Sequence, residues 1–243
     1  MLADLRLAFR FLTRLPIDSA DWQPGDLGRA TWAFPLVGVL IGLVAGVIYA
    51  AARGLGLTPL IGAVAAVAAS CILTGALHED GLADMADGLG GAEREQRLAI
   101  MRDPHIGSYG VIVLVLALIA RVAAISYLSG TAVVLGALVL SAAAGRTALA
   151  LPLAILPAAR ADGLGADAGK PSWEWVAAAA GLAGLAVVVV GLKGLVALAL
   201  ACAAALLVGL IAWRKFGGQT GDVLGAAEQM GEIAALCALV ALT

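Results

Sequence analysis

The sequence predicts an all-α fold, a polytopic integral membrane bundle of about seven transmembrane helices preceded by an N-terminal interfacial amphipathic helix. Hydrophobic residues make up 62% of the chain and charged residues 13%, and the mean hydropathy is +1.01. Apolar runs of about 20 residues, the length that crosses a bilayer core, recur along the chain. These runs are too long and too rich in Ala and Leu for barrel strands, and lipid offers the backbone no hydrogen-bond partners, so they should be helices.

Seven apolar runs are candidates for the transmembrane helices, and together they make residues 1–243 a single membrane-embedded domain. The fourth run is interrupted by Pro152 and Pro157, and the seventh carries polar residues in its first turns, so the ends of both are the least sharply marked. The predicted spans are 31–51, 58–77, 109–128, 131–158, 174–192, 194–213 and 225–243.

The first sixteen residues predict an amphipathic helix at the membrane surface. Arg6, Arg10 and Arg14 recur every four residues, with Leu5, Phe9, Leu12 and Leu15 among the apolar positions. The segment lacks an apolar core followed by a small-residue cleavage site, so it does not resemble a removable signal peptide.

Basic residues are distributed unequally between the two sides of the predicted bundle. With seven spans, the opposite side holds only Arg53 and Lys193. The side of the N-terminus holds eleven basic residues: Arg6, Arg10, Arg14, Arg29, Arg94, Arg97, Arg102, Arg160, Lys170, Arg214 and Lys215. Because cytoplasmic loops carry the excess of Lys and Arg, this asymmetry places the N-terminus and the 78–108 and 214–224 loops in the cytoplasm.

An acidic motif, H-E-D-G-L-A-D-M-A-D-G, follows the second apolar run at residues 78–88. In a helix, Asp80, Asp84 and Asp87 would share one face. A divalent cation such as Mg²⁺ would offset their repulsion and would also bind substrate phosphates. The motif therefore predicts a metal-assisted phosphoryl or nucleotidyl transfer site, and the alternative is a solvated acidic helix between two spans.

A second polar motif, G-G-Q-T-G-D-V-L-G-A-A-E-Q-M-G-E, runs from residue 217 into the seventh span. Its glycines and helix start could approach a phosphate, Asp222 could add a metal ligand, and Gln219 and Thr220 could bond a ligand. The alternative is a helix cap by Asp222. Carboxylates inside a span are costly, so Glu228, Gln229 and Glu232 indicate a site.

A third motif, M-R-D-P-H-I-G-S-Y-G, occupies residues 101–110. Arg102 and His105 could neutralise phosphate charge, and Asp103 could ligate metal or cap a turn. An interfacial histidine without a role is the alternative for His105.

Two arginines lie about midway along predicted spans. Arg121 and Arg146 would each cost at least ~2.5 kcal/mol there if unpaired, so each should face the bundle interior and meet an acid or an anionic ligand. The alternative to a ligand contact is an internal salt bridge that holds the bundle together.

The first span carries a stripe of small residues at Gly38, Gly42 and Gly46, which is typical of close helix packing within the chain or between protomers of a homo-oligomer. The chain has no internal repeat, P-loop, dinucleotide fingerprint or Cys/His metal motif, and we expect no nucleic-acid partner.

The three polar motifs, together with F-L-T-R-L-P and F-P-L-V-G near the N-terminus, resemble those of the bacterial cobalamin synthase family, the adenosylcobinamide-GDP ribazoletransferases. The resemblance runs in order from about Phe11 to Glu232, with Met85 and Pro104 as departures. It implies a multi-pass enzyme of the bacterial inner membrane whose active site faces the cytoplasm. Such an enzyme joins adenosylcobinamide-GDP to α-ribazole or its 5′-phosphate, releases GMP and requires Mg²⁺.

Combined with the resemblance, the motifs give each polar residue an expected role. Asp80, Asp84, Asp87 and Asp222 are the expected metal ligands, and Glu79 or Asp103 is the candidate base. Arg102 and Arg146 complete the expected catalytic group. The expected substrate-binding residues are His78, His105, Arg121, Gln219, Thr220 and Gln229.

Two other functions are alternatives to this one. A CDP-alcohol phosphotransferase, another Mg²⁺-dependent membrane enzyme that displaces a nucleotide, would need D-x-x-D-G-x-x-A-R, and Ala83 is followed here by Asp84. A secondary transporter would use Arg121 and Arg146 near the midplane and a repeated half-molecule, whereas the acids here crowd one face.

The basic asymmetry predicts that a single cysteine placed in a Cys-free variant by Glu95→Cys lies in the cytoplasm. An impermeant thiol reagent should label it only after cells are opened, because the reagent cannot cross the membrane. Labelling of that cysteine from outside intact cells would contradict the assigned topology.

Overall fold

The computed structural model describes residues 1–18 and 23–243, and the side chains of these residues except 186–190. In the described ranges every regular element is a helix, which confirms the predicted all-α class. The helices are α1 (Leu2–Leu12), α2 (Asp26–Ala30), α3 (Phe34–Gly54), α4 (Pro59–Thr74), α5 (Leu77–Leu89), α6 (Arg94–Ile100), α7 (Ser108–Tyr127), α8 (Thr131–Ala148), α9 (Ala150–Ile155), α10 (Leu164–Asp167), α11 (Trp173–Val190), α12 (Leu192–Phe216) and α13 (Gly221–Ala241).

Five helical stretches in the described ranges are long and apolar enough to cross a membrane on their own, and they coincide with the first, third, fourth, sixth and seventh predicted spans. These stretches are Asp26–Gly54, Ser108–Tyr127, Thr131–Ile155, Leu192–Phe216 and Gly221–Ala241. The predicted fifth span falls on α11, part of which lies outside the described side chains. A multi-pass helical bundle is therefore confirmed, and the number seven stays a prediction.

The second predicted span differs from expectation because it bends. α4 and α5 qualify as a span only together, and they meet at an angle of 89°. Two consecutive residues at the bend, Gly75 (φ 67°) and Ala76 (φ 56°), adopt the left-handed conformation. A side chain at Gly75 would also overlap Arg14. The acidic motif is thus a helix roughly perpendicular to α4. The solvated-helix alternative is wrong for its buried face, which includes His78 and Asp87.

The glycine stripe of α3 packs against α8 of the same chain. A Cβ at Gly38 would overlap the backbone of Ala142, one at Gly42 would overlap Val139, and one at Gly46 would overlap the Leu135 side chain. The stripe therefore lets two helices of one chain approach closely, which is the first of the two alternatives.

The helix α13 occupies the middle of the bundle and packs against α5, α7, α8 and α12. Its N-cap is Thr220, whose hydroxyl accepts the backbone N–H of Val223 at 3.2 Å. The alternative of a cap by Asp222 is wrong, because Asp222 lies inside the first turn. Its carboxylate remains available for other contacts.

The helix predicted at the N-terminus is present as α1, but one face packs on the protein. Leu7 and Leu12 are buried with Leu27 and Phe34 in an apolar cluster that also includes Leu153. This packing brings the residues after α1 close to the end of α4, where Arg14 N–H donates to the Leu73 carbonyl at 2.7 Å.

The α3–α8 contact predicts that Gly42→Ala lowers the free energy of unfolding by about 1–3 kcal/mol, because the added methyl forces two backbones apart. Gly54→Ala on the same helix meets no atom within 4 Å and should be neutral or slightly stabilising. Thermal unfolding in detergent measures both. Equal stability of the two variants would contradict the packing account.

Candidate active site

The acidic motif and the α13 motif meet directly, as expected from their placement on one side of the bundle. A Cβ at Gly81 of α5 would lie 2.9 Å from the Asp222 carbonyl oxygen, and one at Gly225 of α13 would lie 3.3 Å from the Cα of His78. The two helices therefore cross with almost no side-chain spacing. Sequence reasoning missed this role of the two glycines, although both are present in the motifs.

Three carboxylates gather where α5 and α13 meet. Asp80 is exposed and Asp84 is half-buried, and the charges of Asp80, Asp222 and Asp87 all act on the Asp84 carboxylate. Within residues 1–18 and 23–243, neither Asp80 nor Asp84 forms an ion pair. Like charges are thus collected at the edge of the site, and two of the three carboxylates have no cation of the described chain paired with them.

Asp222 is held in place by two contacts. Its Oδ2 accepts hydrogen bonds from Arg160 at 3.1 Å and from the Thr220 hydroxyl at 3.2 Å. Arg160 is a half-buried residue of the α9–α10 connection that sequence reasoning assigned only to a basic loop. Its pairing with Asp222 ties this loop to the site.

The acids suit one kind of metal binding and not another. No three His, Cys, Asp or Glu side chains in the described part of the chain are grouped closely enough to hold an ion by themselves. Mg²⁺ is usually bound by one or two carboxylates together with water and substrate phosphates. Asp80, Asp84 and Asp222 fit an ion of this type, one that arrives with a phosphorylated substrate.

Asp87, unlike Asp80 and Asp84, accepts hydrogen bonds from the backbone at the start of another helix. Its Oδ2 accepts the backbone N–H of Gly107 at 2.7 Å, and its Oδ1 accepts that of Gly110 at 2.8 Å. A side chain at either glycine would overlap this carboxylate. Asp87 therefore caps the start of α7, and its role as a metal ligand beside Asp80 and Asp84 stays a prediction.

The third motif lies at the surface in the 101–107 connection. Arg102 pairs with Asp162 at 2.5 Å, and the Asp103 carboxylate accepts from the backbone N–H (2.9 Å) and the Nδ1 (2.7 Å) of His105. These hydrogen bonds hold the pKa of Asp103 below its usual range. Asp103 is consequently a poor proton acceptor at neutral pH, and the structure does not bring this motif to the α5–α13 contact.

Arg121 lies at the centre of a buried network. Its guanidinium donates to Glu79 and Glu232, both at 2.8 Å, to the Ser70 hydroxyl at 3.0 Å and to Gln229 at 3.4 Å. The candidate base Glu79 is thus engaged by a cation, and the interior position expected for Arg121 is confirmed.

Arg146 extends the same network. It pairs with Glu228 at 2.7 Å and Glu232 at 3.2 Å, and it donates to the Ala142 carbonyl at 3.0 Å. Glu228 in turn accepts from Gln229 at 3.0 Å and lies 3.4 Å from His78 Nδ1. Both arginines therefore meet acids, as in the internal salt-bridge alternative, and their proposed contacts with substrate stay predictions.

The residues before α13 have structural partners too. Gln219 is buried, donates to the Gly165 carbonyl at 2.8 Å, and exchanges backbone contacts with the segment after α9, where Ala159 N–H donates to its carbonyl at 2.8 Å. Thr220 caps α13. In this structure both residues shape the loop at the site.

Two cavities adjoin the acids, and they share Phe11, Leu77 and Asp80. One, of ≈ 140 Å³, is apolar apart from His78, Asp80 and Asp222. The other, of ≈ 530 Å³, is lined by Arg10, Thr13 and Arg14 together with the turn before α5. Sequence reasoning placed α1 at the membrane surface and missed the contribution of this segment to both walls, although F-L-T-R-L-P contains Phe11, Thr13 and Arg14.

The buried network predicts that Arg146→Met lowers the free energy of unfolding by about 3–5 kcal/mol, because the buried Glu228 loses its arginine and Glu232 keeps only Arg121. Adding Glu228→Gln should recover part of this loss, because it removes one stranded charge. Arg214→Met at an exposed arginine is the control, and thermal unfolding in detergent is the measurement. If Arg146→Met is as stable as the parent but inactive, Arg146 acts on substrate and not on the bundle.

Comparison with known proteins gives a consistent result. A family model described as cobalamin-5-phosphate synthase matches residues 4–240. Proteins of Bradyrhizobium diazoefficiens (45% identical) and Mesorhizobium japonicum (41%) each match 97% of this chain and 92% of their own length, and one of Azorhizobium caulinodans (44%) matches 97% and 94%. All three are named adenosylcobinamide-GDP ribazoletransferase. No solved structure matches the chain. The chain belongs to the cobalamin-5-phosphate synthase family.

Proposed function

We propose that this chain is a membrane transferase that joins adenosylcobinamide-GDP to α-ribazole or its 5′-phosphate and releases GMP, the last assembly step of adenosylcobalamin. The observation that carries the proposal is the meeting of Asp80 and Asp222 at the wall of the smaller cavity, which Asp80 shares with the larger one. It occurs in a chain 45% identical to a relative named for this reaction.

The reaction is a displacement at phosphorus. An oxygen of the ribazole forms a bond to the cobinamide-side phosphorus of the phosphoanhydride, and the bond from that phosphorus to the GMP oxygen breaks. The bonding electrons leave with GMP, and a hydroxyl nucleophile loses its proton to a base. The protein must therefore position two substrates in line and neutralise the charge of the phosphates.

Asp80, Asp84 and Asp222 would hold Mg²⁺, because three carboxylates are collected there and two of them, Asp80 and Asp84, form no ion pair within the described residues. When bound, the ion supplies positive charge to the bridging phosphates and the leaving oxygen. Arg160 orients Asp222 through its contact at 3.1 Å. The side chains of Arg10 and Arg14 give the larger cavity a basic wall that suits the anionic donor.

The site is proposed to face the cytoplasm of a bacterial inner membrane. The excess of basic residues on the side of the N-terminus supports this orientation, and nucleotide substrates are cytoplasmic. The buried network disfavours the transporter alternative. A transporter would use Arg121 and Arg146 along its substrate path, but both arginines are paired with carboxylates.

The proposed function predicts that the purified chain in detergent releases GMP only when adenosylcobinamide-GDP, α-ribazole and Mg²⁺ are all present. Chelation should stop turnover and added Mg²⁺ should restore it. Asp84→Asn should lower kcat at least about 100-fold, because it removes one ligand of the proposed Mg²⁺ ion. That ion would stabilise the charge of the transition state by several kcal/mol. Its thermal stability should hold or rise, because one repelling charge is gone.

The matched control for Asp84→Asn is Glu95→Gln, which removes a negative charge from an exposed side chain on α6. It should keep the parent activity. Near-parental turnover of Asp84→Asn at limiting Mg²⁺ would remove Asp84 from the site, and an absence of GMP release by the parent chain would remove the proposed function.

A further inference from the structure

The smaller cavity is lined mostly by apolar side chains, and its polar side chains come from two helices. Its walls are built from the apolar side chains of α1, α3, the α8–α9 junction and α10, which include Phe11, Phe34, Leu149, Leu153 and Leu164. The polar side chains among its lining residues come from α5 and α13, the two helices that carry the acids. A ligand in this cavity would therefore have an apolar body and a polar end directed at the acids.

The volume of ≈ 140 Å³ restricts what such a body can be. Apolar cavities of about 150 Å³ accept a small aromatic molecule of the size of benzene. A corrinoid ring is far larger than this space. A guanine base is flat, but its polar edge would lose hydrogen bonds against leucine and phenylalanine side chains, which costs free energy.

The acceptor named in the proposed reaction has the matching chemistry. A ribazole is a riboside of a benzimidazole, a flat and largely apolar aromatic base attached to a polar sugar. With the base among Phe11 and Phe34, the sugar would reach the wall formed by Asp80 and Asp222.

We propose that the ≈ 140 Å³ cavity is the subsite for the aromatic base of the ribazole acceptor, an inference that rests on the proposed function. The larger cavity then takes the anionic diphosphate of the donor against Arg10 and Arg14. Because Asp80 belongs to both cavities, the attacking oxygen and the phosphorus meet at its carboxylate. The subsites thus separate the two substrates by polarity.

Leu164→Trp tests this assignment without disturbing the buried packing, because Leu164 lines the cavity yet is 43% exposed. The larger side chain should fill the subsite and raise the KM for α-ribazole at least tenfold. The KM for adenosylcobinamide-GDP and the melting temperature should stay within a factor of two and a few degrees of the parent. The matched control, Leu55→Trp, makes the same change at an 81% exposed leucine outside the cavity and should alter neither KM.

A binding measurement separates the subsite from catalysis. In a Cys-free variant carrying Leu164→Cys, α-ribazole should slow modification of the new cysteine by a thiol reagent, and GDP should not. An unchanged KM for α-ribazole in Leu164→Trp, or protection by GDP or by added phospholipid in place of α-ribazole, would overturn the assignment. GMP release by the parent would leave the proposed function standing in that event.

Discussion

The buried network of two arginines and three glutamates is the constraint on which the rest of the bundle depends. A guanidinium or carboxylate taken out of water is expensive, and the expense is offset only when each charge meets its partner with good geometry. Arg121 on α7 and Arg146 on α8 share Glu232 of α13, and Arg121 also reaches Glu79 of α5. Four helices are therefore fixed relative to one another by contacts that tolerate little displacement.

This network also determines the orientation of the acidic helix. Successive residues of a helix point about 100° apart, so fixing Glu79 toward Arg121 turns the neighbouring Asp80 away from the interior. Glu79 is 8% exposed, whereas Asp80 is exposed and lies on the wall of both cavities. Asp87, two turns further on, secures the far end of α5 by capping α7. The acids at the site are thus positioned by Glu79 and Asp87, which bond to groups of the same chain.

Local sequence patterns predicted the helices, the meeting of the acidic motif with the α13 motif, and the interior position of the arginines. They did not predict the bend before α5, because Ala76 gives no local signal for a left-handed conformation. The patterns also did not predict which acid pairs with which arginine. Arg121 and Glu232 are 111 residues apart in the sequence, and any buried acid could serve as the partner of an intramembrane arginine. The amphipathic pattern of α1 indicated an apolar neighbour without saying whether that neighbour is lipid or protein.

The difference between the inner and outer acids gives a physical reason for the proposal that the site takes a cation from solution. Deep in the bundle, Glu228 and Glu232 form ion pairs with arginines of the same chain. An unpaired charge at that depth would strongly destabilise the folded protein. Asp80, at the cavity wall, is exposed, and Asp84, on the same helix, is half-buried, so both have access to water and the folded chain tolerates their repulsion without an ion-pair partner among the described residues. An arginine of the same chain paired directly with Asp80 or Asp84 would stabilise the fold and occupy the position proposed for the metal ion and the diphosphate. Leaving these acids unmatched therefore costs some stability and keeps the charge available for substrate, which is the physical basis of the proposed Mg²⁺ site.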